Sequence, residues 1–226
     1  MNCPRWSSAA RVKSGILIDR QRDTCKECQY LYTVSHKSDT STSAQRRLAV
    51  TLYLEGLGFR SIGRILGFSH VAIYQWIHAL GKEVAQIKRP SAQIVELDEL
   101  HSSVGHKKYC WSWIAVDRLG KRFLHVVTDT RGVVTGEQLW DAMKSPLIAQ
   151  VMTDYWEPYE HFVPPEYHIQ SKAETFTVEG YNSVFRHFLA RFRGNTKCYS
   201  KSERRLRYSV LLLMAKWNGE LEYLLN

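Results

Sequence analysis

The chain has 226 residues, with 31 Lys and Arg against 22 Asp and Glu, a net charge of +9 and a hydrophobic content of 44%. That is room for one medium domain plus one or two small modules. The longest apolar run, Val210 to Ala215, falls far short of the roughly 20 residues of a membrane span. The excess of positive charge favours a polyanionic partner, nucleic acid first.

The N-terminus, Met1-Asn2-Cys3-Pro4-Arg5, lacks the apolar core of a secretory signal, so an intracellular protein is expected. Its five cysteines then read as thiols or metal ligands rather than disulfides. Cys3, followed by Cys25-Lys26-Glu27-Cys28, resembles part of a zinc ribbon, because zinc takes four ligands in a tetrahedron. Trp6 stands where a fourth cysteine belongs. Three thiolates remain for zinc, with His36 the nearest other ligand. The alternative is a degenerate ribbon at 1–34 held by packing of Trp6, Tyr30 and Tyr32. Arg11, Lys13, Arg20, Arg22 and Lys26 make the module basic. The polar, Ser/Thr-rich stretch 35–43 reads as a linker.

From Ala44 the hydrophobic period becomes helical. Leu48, Ala49, Leu52 and Tyr53 form an apolar face, and Gly56 stops the helix. A second short helix, from about Arg60 to Leu66, is expected to bury Ile62, Ile65 and Leu66. Ser69 is placed as N-cap of a third. That helix runs from Val71 to Leu80 and ends at Gly81, with Ile73, Trp76, Ile77 and Leu80 inward. His70, Tyr74 and Gln75 are expected to project outward near its start and, with Ser69, to contact DNA. Helix, tight turn and a helix with polar residues at its N-terminal end is the helix-turn-helix plan, so 44–83 is read as a DNA-binding domain.

The third part, 92–226, opens on Ile94-Val95-Glu96-Leu97-Asp98-Glu99-Leu100. Period-two alternation makes this a strand with Ile94, Glu96, Asp98 and Leu100 on one face. Asp98 is then either a solvated residue on an edge strand or a metal ligand, since a lone buried carboxylate is costly. Strands follow at Tyr109–Val116 and Phe123–Val127, joined by the Asp117-Arg118-Leu119-Gly120 turn, in which glycine suits positive φ. Next come a helix at Thr135–Lys144, a strand at Ala149–Asp154, a short strand at Tyr167–Gln170, a helix at Phe176–Phe192 and an amphipathic helix at Glu203–Trp217. This is the order of the ribonuclease-H-like α/β fold with a mixed sheet. In that fold two acidic residues end neighbouring strands and a third comes from an adjacent helix. Here these are Asp98, Asp154 and Glu179, with 55 and 24 residues between successive members. Such carboxylates suit two magnesium ions roughly 4 Å apart, manganese substituting. Asn182 and Arg186 lie on the face of Glu179 and are candidates for contacting DNA, since an arginine there can bind phosphate. Asp117 and Asp129 read as local turn and strand-end residues, and Glu99 faces away from Asp98. His101 joins the face of Asp98 only if the strand bends, and His187 reads as a packed histidine. Cys110 and Cys198 fit as core or half-exposed thiols. Lys201 and Arg204, with Arg205 and Arg207, are candidates for tracking the DNA backbone.

The segments LYLEGLGFRSIGRILGFSHVAIYQWI, LDELHSSVGHKKYCWSWIAVD, VMTDYW and VEGYNSVFRHFLARFRGNTKCYSKS resemble the IS-one family of insertion-sequence transposases. The resemblance runs nearly the whole chain. It implies a zinc-ribbon-like module, an all-α helix-turn-helix module and a ribonuclease-H-like catalytic domain of the DDE recombinase type. It also implies Asp98, Asp154 and Glu179 as the triad, and Arg186 as the basic residue after it. Its implied partners are double-stranded DNA, both element ends and target, and at least a second copy of the chain. Its implied location is cytoplasmic and nucleoid-associated. The departure is Trp6, which bears on zinc and not on catalysis. A structure-specific nuclease of the same fold is disfavoured by the upstream helix-turn-helix. A DNA-binding regulator with a dead site is disfavoured by the intact triad.

Overall fold

The structure, a computed structural model, describes residues 2–17, 20–33, 41–105, 108–193 and 199–225. Most of the expected linker 35–43 lies outside them, as do His36 and Cys198. The chain forms two compact units, Met1–Thr42 and Ser43–Asn226. Among the described residues no helix is long and apolar enough to cross a membrane.

The first unit is a three-stranded antiparallel sheet, β1 (Arg11–Leu17), β2 (Arg20–Cys25) and β3 (Leu31–Thr33), with β2 central. Every residue of β1 is exposed, so among the described residues the apolar core is Cys3, Cys25 and Tyr32 with Cys28 packed against them, and Asp23, paired with Arg11, is buried beside it on β2. Two similar turns hold the thiols. The Ser7 amide donates to the Cys3 carbonyl at 2.8 Å and the Gln29 amide to the Cys25 carbonyl at 3.0 Å. Ser7 and Gln29 share positive φ, 55° and 56°. Trp6 therefore occupies in the first turn the position of Cys28 in the second. It is 65% exposed, so the expectation that Trp6 packs the module together fails, although Tyr30 does stack on Tyr32 at 6.4 Å.

The second unit opens with α1 (Ser43–Leu54), α2 (Phe59–Leu66) and α3 (His70–Val84). The buried face of α1 is Ala49, Val50, Tyr53 and Leu54, rotated from the expected one, and Leu48 is exposed. Ile62 is buried, but Ile65 is 59% exposed. Ser69 caps α3 as expected, its hydroxyl accepting from the Ala72 amide at 3.1 Å, a contact of about 1 kcal/mol. Gly81 does not end α3. It lies buried within the helix, where a Cβ would come 2.8 Å from Cβ of Tyr208. The glycine marks the close approach of α3 to α7 (Glu203–Trp217) rather than a stop.

The sheet that follows has five strands: β4 (Ile94–Val104), β5 (Lys108–Asp117), β6 (Arg122–Asp129), β7 (Gln150–Thr153) and β8 (His168–Gln170). Their order is β6-β5-β4-β7-β8. β4, β5 and β6 are an antiparallel meander, and β7 and β8 run parallel to β4. β4 is central, so Asp98 does not sit on an edge. Its odd residues Val95 and Leu97 face α4 (Val133–Met143) and α5 (Tyr159–Phe162) in one core. Its even residue Leu100 faces α6 (Phe176–Phe188) and α7 in the other. α6 ends at Phe188, and a 3-10 turn at Ala190–Phe192 replaces the expected last helical turn. α7 is buried continuously from Ser209 to Ala215 because it lies between the sheet and α1–α3, while Trp217 at its end is exposed. In the β5–β6 turn the positive φ belongs to Lys121 and not Gly120. A Cβ on Gly120 would strike Asp117 Oδ2 at 2.3 Å.

Candidate active site

Asp98 sits on the central strand with both oxygens engaged. Oδ1 accepts from the Glu99 amide at 2.8 Å and Oδ2 from Asn182 Nδ2 at 2.6 Å. Burial raises its pKa, the two hydrogen bonds oppose the rise, and the charges of Asp154 and Glu179 add to it. The β4–β7 register pairs Glu96 with Met152, so two residues on, Asp154 comes beside Asp98. Asp154 is fixed by the Trp156 amide, which donates to Oδ1 at 3.0 Å. Glu179 is exposed in the first turn of α6, with Oε1 3.3 Å from Thr175 Oγ1. Three carboxylates from β4, the end of β7 and α6 thus converge. Asn182, one turn past Glu179, is 1% exposed and its Oδ1 has no hydrogen-bond partner. The expectation that Asn182 touches DNA gives way to a positioning contact on Asp98.

Sequence reasoning passed over Glu96. It is fully buried, and its Oε2 accepts from the Val178 amide of α6 at 2.8 Å. That amide is among the first of the helix, which have no partner within it. No side chain at Thr175 caps the helix, so a residue two positions before Asp98 on the same face of β4 does so. Arg118 lies 3.4 Å from Glu96 Oε1, pairs with Glu174 and covers the Phe176 ring at 4.8 Å. The signal was available: an acid on a face otherwise committed to the core needs a partner.

On the opposite face Glu99 pairs with Arg131 at 3.1 Å. Burial pushes its carboxyl up to about 7, against the nearby Tyr159 hydroxyl and Arg131, which favour the charged form. Glu99 Oε1 and the Tyr159 hydroxyl are buried close to each other. Arg131 also covers the rings of Trp111 and Trp156, at 4.6 and 4.1 Å. Glu99 thus steadies the segment after Asp154. His101 stays on this face, stacked between Tyr109 and Trp111. Asp117 accepts from the Gly120 amide and pairs with Arg122, and Asp129 lies opposite Trp111. His187 is exposed beside the Phe188 ring, and Cys110 is buried.

The expected nucleic-acid contacts fall into groups. His70 and Gln75 are exposed at the start of α3, and Arg186 is exposed on α6. Tyr74 does not project outward. Its ring packs edge-on to Phe59 and beneath Arg205 of α7, 4.5 Å from Cζ. Lys201 and Arg204 are both exposed but line different hollows, Lys201 with His70 and Arg204 with Asp129.

Two donor sets are suited to metals. The carboxylates offer only oxygen, the set preferred by magnesium and manganese, and mutual repulsion is already visible in the raised pKa of Asp98. The sulfurs of Cys3, Cys25 and Cys28 all lie within 4.8 Å of one another, a spacing to which the carboxylates do not close. The Cys28 amide donates toward Cys25 and lowers its thiol pKa, while burial raises that of Cys28. Three thiols at this spacing fit a soft or borderline cation such as zinc.

A family model described as IS1 transposase matches residues 92–210. The chain is 31% identical over 118 residues to the insertion element IS1 4 protein InsB of Escherichia coli (strain K12), covering 50% of this chain and 71% of that protein. It is also similar, at 13% identity and a TM-score of 0.36, to a chain in the simian T-cell lymphotropic virus intasome solved in complex with PP2A regulatory subunit B56 gamma. That match covers 74% of this chain and 66%, just under two thirds, of the other.

Proposed function

Because the chain belongs to the IS1 transposase family, we propose that it is a DDE transposase that binds the terminal inverted repeats of its element, cleaves a 3′ end and joins that end to target DNA. The reading rests on one observation, the convergence of Asp98, Asp154 and Glu179 from β4, the end of β7 and α6. The strand order β6-β5-β4-β7-β8 supports a ribonuclease-H-like catalytic part. Asp98, Asp154 and Glu179 would hold two magnesium ions, with manganese as a substitute. When bound, such ions activate the attacking oxygen and stabilise the leaving oxygen of an in-line displacement. Asn182 orients Asp98, Glu96 fixes the helix that carries Glu179, and Arg186 meets a phosphate beside the carboxylates.

Residues 44–83 act as the helix-turn-helix. His70 and Gln75 face the DNA, Ser69 caps the reading helix, and Tyr74 braces it against α7. Lys201 and Arg204 contact the backbone. Cys3, Cys25 and Cys28 hold zinc with a fourth position left to another ligand. Two ends must be brought together, so the working complex contains at least two copies of the chain, on double-stranded DNA in the cytoplasm at the nucleoid.

The test is strand transfer of a labelled, pre-cut element end into plasmid in magnesium, comparing wild type with Asp154→Asn. Joined product from wild type alone is expected. Equal joining by the variant would remove Asp154 from the site, and cleavage without joining would favour a nuclease.

A further inference from the structure

Between α2–α3 and the segments flanking α7 lies an open cleft of about 710 Å³. Its walls carry Arg60, His70, Arg191, Lys201 and Arg205, and among the described residues no acidic one lines it. Two of these cations are held in place before any ligand arrives. Arg191 donates to Ser200 Oγ at 3.1 Å and Ser209 Oγ at 2.5 Å, and covers the Tyr53 ring at 5.4 Å. Arg205 is stacked on Tyr74. Arg60 and Lys201 are exposed on opposing elements, α2 and the segment before α7. Fixed guanidinium groups flanked by exposed cations, with no competing carboxylate among the described lining residues, suit a chain of phosphates.

We propose that this cleft clamps the sugar–phosphate backbone of duplex DNA, so that one DNA end is gripped together by α2–α3 and by the body carrying the carboxylates. The inference rests on the transposase reading and adds Arg60, Arg191 and Arg205 to it. The two halves of the clamp form a single body. The Tyr53 and Ser209 hydroxyls meet at 2.6 Å, and Gly81 admits Tyr208 against α3. α6 connects clamp to carboxylates: from Glu179 to Leu189 it rises roughly 15 Å at about 1.5 Å per residue. For a duplex whose axis runs along α6, at about 3.4 Å per nucleotide of one strand, the clamped phosphates fall roughly four to five nucleotides from the scissile one.

The experiment uses the full chain and a labelled duplex carrying the terminal sequence that flanks its gene, with affinity measured against salt concentration. Arg60→Gln combined with Lys201→Gln removes the two exposed cations and leaves the Arg191 and Arg205 contacts intact. Lys88→Gln combined with Lys144→Gln removes the same charge away from the cleft. The clamp double variant should keep the wild-type Tm, bind at least tenfold more weakly at low salt and lose about 2 from the slope of log K against log salt, near 0.9 per phosphate contact. The control pair should match wild type. Phosphate-ethylation interference should mark one or two phosphates four to five nucleotides from the cleavage point, and these marks should vanish in the clamp variant.

An unchanged slope in the clamp variant, or an equal loss in the control pair, overturns the clamp. The two readings separate cleanly. Wild-type joining with no clamp effect discards the clamp alone, whereas a clamp-dependent slope without joining discards the transposase reading alone.

Discussion

Glu96 of the central strand accepts a hydrogen bond from the amide of Val178, one residue before Glu179. The strand that bears Asp98 therefore also caps the helix that bears Glu179, and the two carboxylates are set by one buried group. Glu96→Ala leaves that amide without its partner, takes from Arg118 one of its two carboxylates, and should cost about 1–3 kcal/mol of stability. Joining should fall at least tenfold and require more magnesium. Glu96→Gln keeps an oxygen on the amide and should recover most of the Tm. Thermal melts and a magnesium titration of strand transfer check this.

Asn182 donates to Asp98 and so favours its charged form. In Asn182→Ala the Asp98 pKa rises further, and the acid limb of the pH–rate profile should move to higher pH with DNA affinity unchanged. Asn182→Asp adds a fourth negative charge and should lower joining more than alanine does. A DNA-contact role would instead appear as weakened binding at every pH.

His78 stands between the rings of Tyr74 and Tyr208, with Nε2 buried and without a hydrogen-bond partner. Burial, then the charges of Arg204, Arg205 and Lys82, lower its pKa. A depressed pKa means the unfolded chain takes the proton first. The stability from this site is thus present above the ordinary histidine range, near 6.5, and is lost as pH falls through the folded value. Tm should drop between about pH 7 and pH 5, and His78→Phe, which keeps a ring in the stack, should shrink that drop. Differential scanning calorimetry across the range measures it.

Gly81→Ala drives a methyl group into Tyr208. The expected cost is about 1–3 kcal/mol from overpacking, with the thiol cluster of the separate N-terminal unit unaffected. Denaturant melts and thiol titration read the two effects independently.

Trp6→Cys places a fourth thiol at the turn position matching Cys28. Zinc retained after dialysis against chelator should increase in this variant and fall in Cys25→Ser. Retention unchanged by both would remove the thiols from metal binding.

Patterning carried the sequence far in the second unit. The period-two alternation of 94–100 placed its residues on the right two faces, and the helical period of Glu203–Trp217 found α7. The rest was hidden for physical reasons. A glycine near a helix end reads as a stop, and only the approach of Tyr208 makes Gly81 a contact point. Leu48 and Ile65 lie near the helical stripe, and tertiary packing chose Val50 and Leu54 over Leu48. The three carboxylates were picked out by their spacing along the chain; Asp154 directly follows β7, whereas Asp98 lies inside β4 rather than at its end. Glu96, which fixes the helix of Glu179, and Arg191 of the basic cleft were not picked out, because each acts on a backbone amide or hydroxyls that the pattern of the sequence does not reveal.

The continuous burial of α7 from Ser209 to Ala215 has an evolutionary corollary. α1–α3 cannot be exchanged as a detachable cassette. Stripped of α7, they would bare the apolar backs of Ile73, Ile77 and Leu80, and a foreign reader grafted in their place would have to match the contour of Tyr208. On the proposed helix-turn-helix reading, changes in which DNA end is read should therefore accumulate as point substitutions on the outer side of α3, around Gln75, rather than by domain shuffling.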